Sequence, residues 1–334
     1  MISVGIIGGT GYTGKYLINF CNQHPNISDF KIYANKSAGK NLYDVFPEFH
    51  NNIKNVTIEN ISNLNFTHDV YFFALPHGES FKYIPKLIEQ NKKIIDLGAD
   101  YRLDSNEVFT STYKLQHTSP ELLKYKIYGL AEITKDYSKT NLVANPGCYP
   151  TAALLSTIPL VKNIPGKIET ISTVSYSGLS GAGKKADASL LFAENYNSVK
   201  AYNVGTHRHE VEIIQELNKY KPNTNYSLTT HLLPVFSGIY STTIIHLNTA
   251  VTQVEVDNIF NTEYVDSSFV RIRKTPPELK WVINTNYYDA NIKALDNKII
   301  VTACIDNLIK GASGQAVQNM NKLFNWDENL GIKN

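Results

Sequence analysis

Residues 2–14 read ISVGIIGGTGYTG, an apolar run followed by a glycine-rich turn. The amphipathic stretch that comes next extends to Cys21, so the order predicts a strand, a phosphate-binding loop and a helix. Gly9, Gly11 and Gly14 fit the pattern GxGxxG, whose glycines let the backbone turn tightly and approach a pyrophosphate at the start of the helix. A glycine turn without a ligand is the alternative. The predicted contacts with a dinucleotide are Gly8, Thr10, Gly11, Tyr12 and Thr13.

Further strand-like runs follow at residues 30–34, 70–75 and 93–97. Helical stretches separate them, and this alternation predicts a parallel, doubly wound sheet. From Lys167 onward the chain changes to long segments rich in Val, Ile, Thr and Tyr, which predict a mixed or largely antiparallel sheet. These segments are IETISTVSYSG (168–178), YSLTTHLLPV (226–235), GIYSTTIIHL (238–247), SSFVRIRK (267–274), WVINTNYYDA (281–290) and KIIVTACIDN (298–307). We therefore expect an α/β protein with a Rossmann-type sheet and a second, α+β domain; residues 314–324 are again helical.

The second predicted strand ends without an acidic residue, where a site that prefers NAD usually has Asp or Glu for the ribose hydroxyl. The chain instead has Asn35-Lys36-Ser37-Ala38-Gly39-Lys40, with two cations and a hydroxyl. We predict NADP rather than NAD, with Lys36 and Ser37 at the 2′-phosphate. Ordinary solvated lysines are the alternative.

Composition narrows the class of protein. The chain has 334 residues, 43% of them hydrophobic and 19% charged, with a net charge of +2. These values predict a globular protein and argue against nucleic acid or a membrane surface as the main partner. The first residues do not read as a signal peptide, and no apolar run approaches the roughly 20 residues that span a bilayer, so we expect a cytoplasmic protein.

The chain has three cysteines, and one of them stands in an unusual context. Cys148 lies in Asn-Pro-Gly-Cys-Tyr-Pro-Thr, where a Pro-Gly turn precedes a helical run. Free N–H groups at a helix start favour a thiolate, which can attack an activated acyl carbon. A buried cysteine in a turn is the alternative. We predict that Cys21 and Cys304 are buried packing residues, and the cysteine spacing indicates neither a disulfide framework nor a zinc site.

The segment His207-Arg208-His209-Glu210-Val211-Glu212 offers complementary chemistry. An imidazole can move protons near neutral pH, and a carboxylate can orient it. Histidines at i and i+2 do not share a helix face, so a zinc site is improbable and we predict no metal. A surface histidine pair at a helix start is the alternative.

Two further features suit ligand contact. Residues 175–183, SYSGLSGAG, form a small-residue loop whose backbone can approach a nicotinamide and a substrate carbonyl, unless it is only a flexible connection. Arg102 follows the strand at 93–97, and ligands of open α/β sheets bind at the carboxyl edge, where a guanidinium suits a carboxylate or phosphate.

Together these segments resemble the N-acetyl-gamma-glutamyl-phosphate reductase family nearly end to end. The shared motifs are GGTGYTG (8–14), ALPHGES (74–80), DLGADYRL (96–103), YGLAE (128–132), NPGCYPTAALL (145–155), SGLSGAGKKA (177–186), GTHRHEVEI (205–213) and DNLIKGASGQAVQNMN (306–321). The resemblance implies a fold shared with aspartate-semialdehyde dehydrogenase. It implies an NADP-binding domain at 1–147 completed by 311–334, and a catalytic and oligomerisation domain at 148–310, in a homo-oligomer that is a dimer or a tetramer.

The resemblance also implies the chemistry. Cys148 forms a thioacyl intermediate with an N-acetylglutamyl phosphate and releases phosphate, and NADPH reduces the thioester to the semialdehyde. His207 is the acid/base, held by Glu212. The implied substrate contacts are Arg102, Ser177 and His209. The implied further contacts around the cofactor are Gly178, Gly181, Gly311, Ala312 and Gly314.

Departures from the family pattern leave the substrate open. The segment HRHEVE lacks the proline of HRHxPE, and HLLPVFSG (231–238) lacks the arginine of segments like HLVPMNRG. The N-acyl group is therefore undecided, and N-succinyl-glutamyl, carrier-linked aminoadipyl and aspartyl phosphates are alternatives. Lys36 stands where arginine is frequent, which weakens NADP preference without inverting it. A non-catalytic NADP-binding sensor would have lost the nucleophile or the base, and this chain has both.

Overall fold

The structure is a computed structural model that describes residues 1–184 and 187–332. The chain divides into two compact units: Met1–Pro146 with the described residues from Ala312 on, and Gly147–Gly311. Lys185, Ala186, Lys333 and Asn334, which the predicted domain ranges include, lie outside the described residues.

The first unit is built on a parallel sheet in the order β3-β2-β1-β4-β5-β7-β6. Its strands are β1 (Ile2–Ile7), β2 (Ile27–Ala34), β3 (Glu59–Asn60), β4 (Val70–Phe73), β5 (Lys93–Asp96), β6 (Ile127–Tyr128) and β7 (Leu142–Ala144). Every residue of β4 and β7 is buried, as expected for parallel strands covered on both faces. The helices between them are α1 (Tyr12–Gln23), α2 (Leu42–Val45), α3 (Ile84–Glu89) and α4 (Asn106–Tyr113). The predicted Rossmann-type sheet is confirmed.

The second unit is built on a mixed sheet in the order β12-β13-β14-β11-β8-β10-β9. Its strands are β8 (Ile168–Gly178), β9 (Lys200–Tyr202), β10 (Tyr226–Leu233), β11 (Ile239–Leu247), β12 (Val270–Ile272), β13 (Tyr288–Leu295) and β14 (Lys298–Ile305). The pairs β8–β10 and β12–β13 are parallel and the other pairs are antiparallel, so the predicted mixed sheet is confirmed. Its helices are α5 (Cys148–Asn163), α6 (Phe192–Asn195), α7 (Arg208–Asn218) and α8 (Gln253–Glu263).

The two faces of this second sheet differ. Side chains alternate between buried and half-exposed along β8, β10 and β11, which is the pattern of a sheet covered on one face. The covered face carries α5, whose residues from Tyr149 to Val161 are all buried and whose Ser156 contacts the Tyr288 hydroxyl at 2.9 Å. The open face includes the half-exposed side chains Val174, Tyr176, Tyr240, Thr242, Ile244, Ile300 and Thr302.

The last helix in the described part of the chain is α9 (Gly314–Leu323), which belongs to the first unit. Its buried amides bind that unit: Nδ2 of Asn319 donates to the carbonyl of Gly129 at 2.8 Å and to Oδ1 of Asn145 at 2.9 Å. The ring of His24 contacts Oδ1 of Asn321 at 2.9 Å. The predicted helix at residues 314–324 is present and ends one residue earlier.

Two predictions of local structure are wrong. Residues 281–287 of the segment WVINTNYYDA are not a strand, because Trp281 ends a 3₁₀ turn and Asn284 adopts a left-handed conformation with φ of 62°. The proposed loop at 175–183 is strand as far as Gly178, because Ser175 and Ser177 pair with β11; a 3₁₀ turn, Leu179–Ala182, follows.

Within the described ranges, no helix is long and apolar enough to cross a membrane. In the same part of the chain, no group of three or more His, Cys, Asp or Glu side chains is arranged to hold a metal ion.

Candidate active site

Cys148 is the first residue of α5, a helix of 16 residues. The N-cap is Gly147, with φ of −67° and ψ of 158°, and the first turn contains no acidic residue. A glycine has no side chain that could accept from the first N–H groups. These groups and the positive end of the helix dipole therefore lie at the end of the helix that carries Cys148. Cys148 is half-buried. This is an environment that favours a thiolate.

The other two cysteines are buried, as predicted from the sequence. Burial raises the pKa of the Cys304 thiol to about 12 and raises that of Cys21 further. The Sγ of Cys304 also donates to the carbonyl of Glu278 at 3.6 Å. Both side chains therefore stay protonated thiols at neutral pH.

Gly311 packs directly on Cys148. A Cβ added at Gly311 would lie 2.7 Å from the Cβ of Cys148 and 3.2 Å from its Cα. No real side chain tolerates such contacts without a backbone shift. Because Gly311 has no side chain, space remains beside Cys148 within the second unit.

Glu212 is fully buried on α7, and its Oε1 accepts the backbone N–H of Gly147 at 2.9 Å. The carboxylate therefore supports the turn that carries Cys148. Sequence reasoning assigned Glu212 to His207 and did not find this contact, because the two partners lie 65 residues apart.

His207 is the N-cap residue of α7 and is 8% exposed. Its Nδ1 accepts the backbone N–H of His209 at 3.2 Å. Burial, with a smaller contribution from the Arg208 cation, lowers the pKa of His207 to about 4. The imidazole is therefore neutral at neutral pH.

Two tyrosines flank His207, and sequence reasoning missed both. The ring of Tyr149 lies 5.2 Å from the His207 ring at 82°, and the ring of Tyr202 lies 5.6 Å from it at 72°. The two hydroxyls contact each other at 2.7 Å. Burial raises the pKa of Tyr202 to about 12 and that of Tyr149 still further, and the charge of Cys148 adds to both shifts. Both side chains are thus neutral phenols within electrostatic reach of Cys148.

His209 is in the first turn of α7. Its ring lies 4.9 Å from the His207 ring and 5.9 Å from the Tyr149 ring. The structure thus brings the two predicted histidines together beside the residue that follows Cys148.

Ser177, Gly178 and Gly181 are grouped at the end of β8. The Ser177 hydroxyl donates to the carbonyl of Gly178 at 3.0 Å, and a hydrogen bond from Ser177 opposes the rise in the pKa of Tyr149. A Cβ at Gly178 would lie 2.7 Å from the carbonyl oxygen of Phe236, so glycine is required there for a close backbone crossing. A Cβ at Gly181 would lie 3.0 Å from the Ser177 Oγ.

In the first unit, the glycine turn after β1 is as tight as its sequence indicates. Gly8 has φ of 82°, and a Cβ there would lie 2.3 Å from the carbonyl oxygen of Ala74. A Cβ at Gly14 would lie 2.5 Å from the backbone of Gly9, so the turn packs on the start of α1. The residues that the turn leaves half-exposed at the start of α1 are Thr10, Gly11, Tyr12 and Thr13.

Lys36 and Ser37 follow β2, the neighbour of β1. The N–H of Gly8 donates to the carbonyl of Tyr33 at 2.9 Å, so the two loops leave the same edge of the sheet. Lys36 is exposed and Ser37 is half-buried. No described residue forms a salt bridge with Lys36, which leaves its charge available to an anion.

Arg102 is 5% exposed in the first unit, and its guanidinium binds the backbone. Nε donates to the carbonyl of Asn145 at 2.9 Å and Nη2 donates to the carbonyl of Leu97 at 2.7 Å. These bonds join the residues that follow β5 and β7. Gly314, the last of the predicted positions, is buried at the start of α9 in the same unit.

Comparisons with known proteins agree with this organisation. Residues 3–140 match the family described as semialdehyde dehydrogenase, NAD binding domain, and residues 148–307 match semialdehyde dehydrogenase, dimerisation domain. The solved structure of aspartate semialdehyde dehydrogenase II from Vibrio cholerae superposes with a TM-score of 0.77 at 17% identity, covering 97% of this chain and 98% of that one. The enzyme from Candida albicans, solved with NADP, has a TM-score of 0.67 at 15% identity over 97% and 99%. The shared fold is confirmed.

Curated relatives are more similar in sequence. The N-acetyl-gamma-glutamyl-phosphate reductase of Clostridium novyi is 37% identical over 99% of this chain and 98% of its own. The protein of the same name from Dehalococcoides mccartyi is 39% identical over 98% and 96%. The predicted resemblance is confirmed, and with it an oxidoreductase that binds a nicotinamide dinucleotide. The chain belongs to the N-acetyl-gamma-glutamyl-phosphate reductase family of semialdehyde dehydrogenases.

Proposed function

We propose that the protein catalyses the NADPH-dependent reduction of N-acetyl-L-glutamyl 5-phosphate to N-acetyl-L-glutamate 5-semialdehyde, a step of arginine biosynthesis. The observation that carries the proposal is the position of Cys148, half-buried at the start of α5, where no side chain caps the helix; the ring of the next residue, Tyr149, lies 5.2 Å from the His207 ring. The names of the relatives supply the substrate.

In this reaction Cys148 attacks the acyl carbon and displaces phosphate, so that the acyl group is held as a thioester. The N–H of Gly147, bound by Glu212, fixes the turn from which the sulfur attacks. Gly311 leaves space beside the cysteine, and His207 is proposed as the acid/base of the reaction. Collapse of the reduced thioester releases the semialdehyde and restores the cysteine.

The first unit has the features that a dinucleotide needs. Gly8 and Gly14 stand where a Cβ would collide with backbone, which supports a close approach of a pyrophosphate to the start of α1. Thr10, Gly11, Tyr12 and Thr13 would hold the pyrophosphate, and Lys36 with Ser37 would hold a 2′-phosphate. When bound, the nicotinamide supplies the hydride that reduces the thioester. Gly178, Gly181 and Gly314 are proposed as further contacts with the cofactor.

For the substrate we propose contacts from Ser177 and His209. Arg102, whose guanidinium also binds the carbonyls of Leu97 and Asn145, is proposed as a further contact. We propose the division of labour that these assignments imply: the first unit binds the cofactor and the second carries out the chemistry.

We also propose that the protein is a dimer joined through the open face of the second sheet. That face carries apolar side chains from three strands, Val174, Ile244 and Ile300, and it lies inside the region that matches the dimerisation domain. Replacing Ile244 with Lys would bury a charge in such an interface, which is costly. We expect sedimentation velocity to report a dimer that dissociates in Ile244→Lys and persists in Val265→Lys, a change at a residue 76% exposed. A dimer unaffected by Ile244→Lys would contradict the assignment.

The reaction is tested in reverse. The purified protein, N-acetylglutamate semialdehyde, NADP⁺ and inorganic phosphate should yield NADPH, followed by its absorbance, and omission of phosphate should stop the reaction. Aspartate semialdehyde serves as the comparison substrate. Faster turnover of aspartate semialdehyde would contradict the proposed substrate, and turnover without phosphate would contradict the proposed chemistry.

A further inference from the structure

We propose that Asn307 is a positioning residue for the reaction: its side chain fixes the place of the 3₁₀ turn Leu179–Ala182 relative to Cys148. This turn directly follows the end of β8, where Ser177 is the proposed substrate contact, and it contains Gly181, a proposed cofactor contact. The inference rests on the proposed function and extends it, because Asn307 acts on the substrate only through the residues that it holds in place.

The first observation is the pair of hydrogen bonds made by the Asn307 side chain. Asn307 lies two residues beyond the end of β14 and is 3% exposed. Its Oδ1 accepts the backbone N–H of Gly238 at 2.6 Å, and its Nδ2 donates to Oγ of Ser180 at 3.1 Å. One buried amide therefore joins the turn between β10 and β11 to the turn after β8. An alanine at this position would leave the buried N–H of Gly238 without its acceptor, which is costly.

The second observation is that the two turns joined by Asn307 also bind each other. The N–H groups of residues 178–180 donate to carbonyls of residues 235–238 at 2.8 to 2.9 Å. Gly238 has φ of 107°, a conformation that favours glycine, and a Cβ there would lie 2.7 Å from Cδ1 of Leu279. The turn between β10 and β11 is thus a firm support, and Asn307 bonds both sides of this crossing.

The third observation connects Asn307 to the nucleophile through the residue before it. The carbonyl of Asp306 accepts the N–H of Gly311 at 2.9 Å. Gly311 is the glycine that packs directly on Cys148, where a Cβ would lie 2.7 Å from the Cβ of the cysteine. The dipeptide Asp306-Asn307 therefore contacts the support of the sulfur with one residue and the support of the substrate contact with the other.

The carboxylate of Asp306 keeps this dipeptide in place. Oδ1 accepts the N–H of Leu308 at 2.8 Å, and Oδ2 accepts the N–H of Asn284 at 2.9 Å and the hydroxyl of Ser237 at 3.3 Å. Ser237 stands where segments like HLVPMNRG have an arginine, and it is 6% exposed. At this position the chain therefore uses a hydroxyl to hold its own framework.

This arrangement bears on the rate because the reacting groups must meet within a narrow range of distances. A misplacement of about 1 Å can cost on the order of 10²-fold in rate. A residue that only stabilises the fold acts differently: its loss lowers the fraction of active protein, so the measured kcat falls while KM is unchanged. Loss of a residue that positions a substrate contact should raise KM instead.

Hydrogen exchange followed by mass spectrometry tests whether Asn307 holds the turn. In Asn307→Ala the amides of residues 178–180 should exchange faster, because the turn loses its buried link. Asn291→Ala is the matched control: Asn291 is 6% exposed in the same unit, and its Nδ2 donates to the carbonyl of Arg273 at 2.8 Å. The control should leave exchange at residues 178–180 unchanged. Equal exchange in Asn307→Ala and the wild type would overturn the proposal.

Kinetics test whether the turn serves the substrate. Asn307→Ala should raise KM for N-acetylglutamyl phosphate on the order of five- to tenfold, the effect of weakening one hydrogen bond, and leave kcat within about twofold. Alkylation of Cys148 by iodoacetamide should keep its normal rate, because Gly311 is bound through the backbone of Asp306 and not through the replaced side chain. A fall in kcat at unchanged KM would show a merely structural role and overturn the proposal.

A double-variant comparison tests the route through Ser180 and covers the case in which Asn307→Ala folds poorly. Ser180→Ala removes only the acceptor of the Asn307 amide, so it should raise KM in the same direction by a smaller factor. If Asn307 acts through Ser180, the double variant should have the KM of Asn307→Ala alone. Factors that multiply in the double variant, or an unchanged KM in Ser180→Ala, would overturn the assigned route.

Failure of the proposed function would look different from failure of this inference. A wild-type protein that does not turn over N-acetylglutamyl phosphate would contradict the proposed function, and the exchange measurement would still decide whether Asn307 holds the turn. An active wild type whose KM does not change in Asn307→Ala would overturn the inference alone.

Discussion

Helices α1 and α5 begin in the same way, one in each unit. Their N-caps are Gly11 and Gly147, both with extended backbone, and neither first turn contains an acidic residue. Two other helices begin differently: Ser105 caps α4, and Thr252 forms a capping box with Glu255 at the start of α8. Where a side chain caps the helix, its first N–H groups serve stability. Where a glycine leaves them open, they are available to negative charge.

The two open helix starts differ in where that charge comes from. At α1 the first turn is half-exposed and follows a glycine turn, so the anion is expected to arrive with a ligand. At α5 we propose that the anion is the sulfur of Cys148, which is part of the helix. The packing of the two helices also differs: α5 is buried from Tyr149 to Val161, whereas α1 buries only one side.

The largest effect is expected at the start of α5. Cys148→Ser replaces the thiol with a hydroxyl that does not ionise near neutral pH, so kcat should fall on the order of 10³-fold or more. NADPH binding, measured by fluorescence titration, should be kept. The matched control is Cys304→Ser, whose buried thiol has no part in the reaction. Near-normal turnover by Cys148→Ser would contradict the account.

A smaller effect is expected at the start of α1, and there it concerns cofactor binding rather than the reactivity of Cys148. Gly14→Ala would force a Cβ to within 2.5 Å of the Gly9 backbone, at a cost of about 1–3 kcal/mol. NADPH should bind more weakly, while alkylation of Cys148 by iodoacetamide should proceed at the normal rate. Gly166→Ala is the control, because a Cβ there meets nothing within 4 Å. Normal NADPH affinity in Gly14→Ala would show that this turn does not hold the cofactor.

Lys36 tests whether the first unit distinguishes NADPH from NADH. Lys36→Ala should weaken NADPH by about 1–3 kcal/mol, the range of one charge-assisted contact, and leave NADH nearly unchanged. Titrations of both cofactors measure the difference, with Lys54→Ala, an exposed cation of the same unit, as the control. An equal loss for NADPH and NADH would mean that Lys36 only supports its loop.

The smallest effect is expected at a capped helix. Thr252→Ala removes the capping box of α8 and should lower the free energy of unfolding by about 1 kcal/mol, seen in urea denaturation, without changing kcat/KM. A loss of activity in this variant would contradict the view that a capped helix start contributes to stability and not to catalysis.

Sequence reasoning succeeded where the information is local. The glycine turn before α1 and the Pro-Gly turn before Cys148 each specify a short stretch of backbone, and the structure has both. It failed at residues 281–287, where the apolar pattern suggested a strand. There the left-handed Asn284 and its N–H bond to Asp306 at 2.9 Å hold a turn instead.

Contacts between residues that are far apart in the chain could not be predicted from the sequence. Glu212 and Gly147 are 65 residues apart, and Tyr149 and Tyr202 are 53 apart, so no spacing rule connects them. A partial signal exists for Tyr149, which directly follows the predicted nucleophile. Gly311 likewise belongs to the final motif of the chain, yet its packing on Cys148 depends on the fold.

We propose that the open start of α5 makes Cys148 the nucleophile, and trapping of the thioester tests this most directly. Incubation with N-acetylglutamyl phosphate in the absence of NADPH should trap the thioester, and intact-protein mass spectrometry should show one added N-acetylglutamyl group. Peptide mapping should place it on Cys148, and addition of NADPH should discharge it as the semialdehyde. An adduct on another residue, or full turnover by Cys148→Ser with no adduct, would contradict the account.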